Sequence, residues 1–107
     1  MSDTRAILTS IGLCARAGRL IYGIPMICDA MKQGGKVRPV LVLEASDTSD
    51  NSHKRIGDRC RYYQVKLCRL PVSGGELGAA VGKTTQLGAV AVTDAGLAAM
   101  VESKLGE

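Results

Sequence analysis

The 107-residue sequence predicts an α/β protein, a three-layer α/β/α sandwich around a small central mixed sheet of about four strands. Two observations predict it. Segments with helical apolar spacing alternate with short apolar runs along the chain, an order that stacks helices on both faces of a sheet. Two of the runs, 39–44 and 87–93, are almost continuously apolar, as strands covered on both faces are. No linker, repeat or low-complexity tract interrupts the order, so a single domain over 1–107 is expected.

The elements follow one by one. A first helix is expected over residues 4–17, because Ile7, Leu8, Ile11, Cys14 and Ala15 share a face. Gly18 suits its stop. Residues 20–22 read as a very short strand. A second helix opens near Ile24, with Pro25 at the first helical position, where a missing N–H costs nothing. Ile27, Ala30 and Met31 face inward, and Gly34-Gly35 ends that helix. After the strand 39–44 comes a polar turn, 45–51, and a third helix over 50–63 carrying Ile56, Cys60 and Tyr63. Residues 65–70 read as a strand. Ser73 and Glu76 have the spacing of a capping box, which starts a short helix ending at Gly82. A loop over 83–86 leads to the strand 87–93. The last helix opens at Thr93 or Asp94 and runs to about residue 104.

Composition narrows the function. The chain has no Trp or Phe and three Tyr, so its core is aliphatic. The net charge is +4. Residues 1–40 hold six basic side chains against Asp3 and Asp29, while 41–107 hold eight of each sign. The excess is therefore N-terminal, and one-sided positive charge attracts polyanions. The polar start and the lack of a long apolar run point to a cytoplasmic chain with no membrane partner. Cys14, Cys28, Cys60 and Cys68 form no C-x-x-C pair, and the one His lies apart from them. No metal site and no cofactor are expected. Cys14 and Cys60 fall on core faces. His53 reads as an exposed residue of a solvated helix face, as do Asp58, Arg59 and Arg61. Gly82-Lys83-Thr84 has the tail of a phosphate loop, but Leu77 stands where its first glycine belongs. With no convergent acid–base group, no enzyme is expected.

The stretch 12–23 carries the strongest functional signal. A helix stops at Gly18, Arg19 follows, and Gly23 opens the next helix. A cation and a bare glycine backbone near a helix start favour phosphate, because the first N–H groups are unpaired and the dipole is positive there. The pattern predicts an RNA-binding edge.

Three motifs carry a resemblance: Ala17-Gly18-Arg19-Leu20-Ile21-Tyr22-Gly23, Pro39-Val40-Leu41-Val42-Leu43-Glu44-Ala45-Ser46-Asp47, and Glu76-Leu77-Gly78-Ala79-Ala80-Val81-Gly82. Their order and spacing resemble the ribosomal protein L7Ae superfamily of kink-turn RNA-binding proteins, in particular its small bacterial ribosome-associated members. The resemblance implies an accessory protein that binds structured RNA, such as ribosomal RNA or an mRNA kink-turn, and not DNA. It implies a binding edge of Gly18, Arg19, Gly23, Ile24, Pro25 and Met26, with Lys83, Thr84 and Thr85 over a flipped-out nucleotide. Pro25 and Met26 depart from the family pattern, which has Asn and Glu there to read sheared G·A pairs. Neither can read a base edge. Their loss predicts specific binding weakened by roughly 2–6 kcal/mol, with phosphate contacts retained. The alternative is a protein-interaction module on the same fold, as in the growth-arrest stress proteins, with Ile21, Tyr22, Ile24, Pro25 and Met26 forming an apolar patch that meets a ribosomal or other protein partner.

Overall fold

The computed structural model describes residues 4–34 and 37–105. Gly35 and Lys36, which entered the second-helix stop and the N-terminal charge, lie outside the described residues, as does Asp3. The elements run α1 (Thr4–Arg16), β1 (Leu20–Tyr22), α2 (Ile24–Gln33), β2 (Leu41–Glu44), α3 (Asp50–Tyr63), β3 (Lys66–Arg69), α4 (Gly74–Ala80), β4 (Ala89–Val92) and α5 (Ala95–Leu105). The strands lie in the order β1-β4-β2-β3. β4 is antiparallel to both β1 and β2, and β2 is parallel to β3, so the sheet is mixed.

The two apolar runs become the central strands, buried at every position. Side chains alternate across the sheet. Leu41, Leu43, Val90 and Val92 pack with Ile7, Ile11 and Cys14 of α1 and with Ala98 and Val101 of α5. Val42, Ala89 and Ala91 pack on the other face with Ile27, Cys28 and Met31 of α2 and Ile56 and Cys60 of α3. The strands are shorter than the apolar runs. Pro39 has no N–H to give, and the β2 ladder begins only at Leu41. β3 is half-covered, with Lys66 and Arg69 exposed along its edge, which discourages pairing with another strand.

The helix punctuation follows its residues. Past α1, Gly18 N–H donates to Ala15 O and Arg19 N–H to Cys14 O, both at 3.0 Å. That pair of bonds closes the helix end. At α4, Glu76 N–H donates to Ser73 Oγ at 3.1 Å and Ser73 N–H to Glu76 Oε1 at 3.0 Å, completing the capping box. One position differs from expectation. Gly23 is itself the cap of α2, so Pro25 is the second helical residue and not the first. The second N–H of a helix is also unpaired, so proline is accommodated there too.

Cys14, Cys28 and Cys60 are buried as small apolar groups. Burial pushes the Cys60 thiol up to about 11, with the neighbouring Cys28 adding to the effect. Among the described residues, no helix is long and apolar enough to cross a membrane.

Candidate functional site

Three helices begin around one groove. It has a volume of about 360 Å³ and takes its walls from Gly23 and Pro25 at the start of α2, Ser49 and Ser52 at the start of α3, and Gly74 at the start of α4. Gln86 and Leu87 close one side. Gly23 has φ +86°, a backbone conformation that glycine adopts freely, and it offers no side-chain cap. Its own N–H donates to Ala89 O at 2.9 Å, which ties α2 to the central strand β4. Pro25 has no N–H, so Ile24 and Met26 supply the unpaired donors of the first turn. The start of α2 is therefore bare backbone with a positive dipole end.

The second wall depends on a buried carboxylate. Glu44 is the last residue of β2 and is fully buried. Strand alternation puts it on the Val42 side, facing α3. Thr48 Oγ1 donates to its Oε2 at 2.5 Å, and His53 places Nδ1 2.8 Å from the same oxygen and 2.9 Å from Oε1. These bonds anchor the 45–49 connection and the first turn of α3. Asp47, on that connection, accepts the Gly74 N–H at 2.8 Å and so holds the start of α4 against it. The reading of His53 as merely solvated is corrected here. Its side chain is 47% exposed, yet its inner nitrogen holds a carboxylate that is 0% exposed.

The third wall is formed by Gln86, Leu87 and Gly88, at the end of the loop 83–86 and just beyond it. Lys83 N–H donates to Gly78 O at 2.9 Å, and Leu87 N–H to Gly74 O at 3.0 Å. A Cβ on Gly78 would stand 2.2 Å from Thr85 O. The glycine is what lets the loop lie on α4, which gives the Glu76-Leu77-Gly78 motif a mechanical reason. Lys83 Nζ sits 4.7 Å from the centre of the Tyr22 ring, a cation–π contact that links the loop to β1. Thr84 and Thr85 are exposed.

The structure brings Gly23, Ile24 and Pro25 to one groove with Gln86 at the end of the 83–86 loop, but Lys83, Thr84 and Thr85 are not among its lining residues, and Gly18 and Arg19 are further away. Those two lie at the far end of β1, where Arg19 O accepts from Thr93 N–H. Four residues of extended chain span about 13 Å. The cation expected beside the α2 start is thus a strand's length away. Ile24 is also corrected. The residue is 7% exposed and belongs to the core beside Ile27 and Cys28. The expected apolar patch shrinks accordingly. Ile21 packs against the core, and Met26, 60% exposed, and Pro25 are what remain outside. A larger groove of about 990 Å³ runs between α1 and α4, lined by Leu8, Leu13, Ala80 and Val81 among others. Sequence reasoning missed it, and it missed Glu44, Thr48 and Asp47 as supports of the smaller one.

Residues 5–102 match the Ribosomal protein L7Ae/L30e/S12e/Gadd45 family. The chain belongs to this family. An "RNA-binding protein YlxQ" of Bacillus subtilis (strain 168) is 35% identical over 88 residues, covering 82% of this chain and 83% of that one. A protein of the same name from Enterococcus faecium is 36% identical over 74 residues, 68% of this chain and 67% of its own. A solved structure of a protein with unknown function from Bacillus halodurans C superposes with a TM-score of 0.82 at 29% identity, covering 94% of this chain and 97% of that chain. The Giardia lamblia 15.5kD RNA binding protein shares the fold, with a TM-score of 0.74 at 17% identity, over 96% of this chain and 84% of its own. Within this L7Ae-type fold, all three quoted motifs border the groove or hold its walls. The first ends at Gly23, the second ends at Asp47, and the third carries the glycine beneath Thr85.

Proposed function

We propose that this chain binds structured RNA with a kink-turn-like bend, and that the groove shared by α2, α3 and α4 is where it binds. The observation that carries the reading is the bare start of α2, Gly23 to Pro25, sharing a groove with Ser49, Ser52 and Gln86, the last residue of the 83–86 loop. The relatives named as RNA-binding proteins support the ligand class. Phosphate meets the N–H groups of Ile24 and Met26, and Gly23 lets the two backbones approach. Lys83, steadied over Tyr22, neutralises a second phosphate, and Thr84 and Thr85 cover an unstacked nucleotide. Arg19, with Gly18 turning the chain before it, reaches the backbone further along the RNA. Pro25 and Met26 present apolar surface where the family has polar base readers. Shape and phosphates therefore dominate recognition, with relaxed base choice. The chain works as one binding unit over 1–107, in a cytoplasmic, ribosome-associated role on ribosomal RNA or an mRNA kink-turn.

The test is a titration against three labelled RNAs at two salt concentrations: a kink-turn, the same stem with its G·A pairs converted to Watson–Crick pairs, and an unstructured strand. A preference for the kink-turn that weakens with salt supports the reading. Equal binding to all three, or none, contradicts it. Pro25→Asn with Met26→Glu is expected to tighten kink-turn binding by about tenfold or more as base readout returns. Unchanged affinity would show that these positions do not face the bases.

A further inference from the structure

The even charge of residues 41–107 conceals a basic segment. From Asp50 to Arg69 there are six basic side chains, Lys54, Arg55, Arg59, Arg61, Lys66 and Arg69, against Asp50 and Asp58. Three of the six are held by the protein itself. Arg61 pairs with Asp58 at 3.3 Å, Lys66 with Glu102 at 3.4 Å, and Arg69 donates to Ser46 O at 2.9 Å. Among the described residues, no ion pair or side-chain hydrogen bond holds Arg55 or Arg59.

Helix geometry sorts these groups onto two flanks of α3. At 100° per residue, Asp50, Lys54, Asp58 and Arg61 fall together on one flank, where their charges cancel. Ser52, Arg55, Arg59 and Tyr62 fall together on the other, which holds no acidic residue. That second ridge begins in the groove, since Ser52 lines it. It ends about 15 Å away along the helix at Tyr62. This tyrosine is 79% exposed, among the most exposed large apolar side chains of the described residues. Its ring is braced edge-on by the half-buried Tyr63, with centroids 4.8 Å apart. An exposed, braced aromatic beyond two uncommitted guanidinium groups is the arrangement that holds a single strand, with the base on the ring and phosphates on the cations.

We infer that the Arg55–Arg59–Tyr62 ridge of α3 is a second nucleic-acid site, one that takes a single-stranded stretch of RNA leaving the structured part held in the groove. The inference rests on the proposed RNA binding for its continuity with the groove. The base of one nucleotide stacks on Tyr62, and the phosphates leading to it lie on Arg55 and Arg59. The two guanidinium groups set the salt dependence, and the ring sets the requirement for an unpaired base.

The experiment measures the affinity of the full chain for a kink-turn stem carrying no extension, a short oligouridine extension at either end, and for free oligouridine. The extension is expected to tighten binding by at least about fivefold, the low end of what one stacked base contributes. Tyr62→Ala and the double variant Arg55→Gln, Arg59→Gln are expected to abolish that gain while binding the blunt stem like the native chain. Tyr62→Phe is expected to keep it. Arg55 and Tyr62 are exposed and Arg59 is half-buried, and an unchanged melting temperature checks that each variant folds. No gain at either end together with no binding of free oligouridine would overturn the inference, as would a gain that survives Tyr62→Ala. Failure of the kink-turn reading looks different: the native chain would treat the kink-turn and Watson–Crick stems alike, while Tyr62-dependent binding of free oligouridine would still support the ridge.

Discussion

The two faces of the sheet are packed by different rules. Towards α1 and α5, the central strands present Leu41, Leu43, Val90 and Val92 to an aliphatic cluster, and the buried Ser10 of α1 returns its hydroxyl to Ile7 O of its own helix. Towards α2 and α3, β4 presents only Ala89 and Ala91, and β2 presents Val42 and then the carboxylate of Glu44. The first face is built from volume. The second is built from small residues that let α2 and α3 approach, with one polar anchor that fixes where α3 begins. The groove opens at the end of the second face. The comparison teaches that stability and groove geometry are carried by different sides of the molecule.

Four substitutions or labels break or sharpen this contrast. The largest effect is expected on the apolar face, where Leu43→Ala should cost about 3 kcal/mol by removing a fully buried side chain. Denaturant unfolding measures the loss, and the RNA affinity of the folded fraction should stay the same. Glu44→Ala should cost less, about 2 kcal/mol, for the lost charged hydrogen bonds. It should nevertheless weaken RNA binding several-fold, because the 45–49 connection loses its anchor. If affinity survives, the second face has no special link to the groove. Ser73→Ala should cost about 1 kcal/mol by removing the α4 cap, with a small change in affinity through the 83–86 loop. The smallest effect is kinetic. Native-state thiol labelling at mildly alkaline pH should modify the half-buried Cys68 first, while Cys28, Cys14 and Cys60 wait for opening. A Cys60 thiol near 11 stays protonated there, so early labelling of Cys60 would mean that the α2–α3 face opens more readily than its packing implies.

The fold was legible because each element carries its own punctuation. Gly18 closes α1, Ser73 and Glu76 box the start of α4, and the uninterrupted apolar runs mark the two central strands. These signals are local, and local geometry honours them. The site was legible only in part, because its parts meet through tertiary packing. Glu44 reads as the polar end of a strand, and the rule that carboxylates stay outside hides its contact with His53 on the next helix. Ile24 reads as an exposed neighbour of Pro25 until α2 docks and turns it inward. Arg19 and Gly23 are close in sequence, yet extended backbone in β1 carries them apart. The ridge on α3 was hidden by averaging, since Asp47, Glu76 and Asp94 offset its charge in the sequence without lying on that helix.

The most direct test of the central claim is to map amide shifts of the isotope-labelled chain while a kink-turn RNA is added. Gly23, Ile24 and Met26 are expected to shift most, together with Ser52, Thr84 and Thr85, while residues between α1 and α4 stay still. Shifts confined to Leu8, Leu13, Ala80 and Val81 would place the ligand in the other groove and contradict that claim.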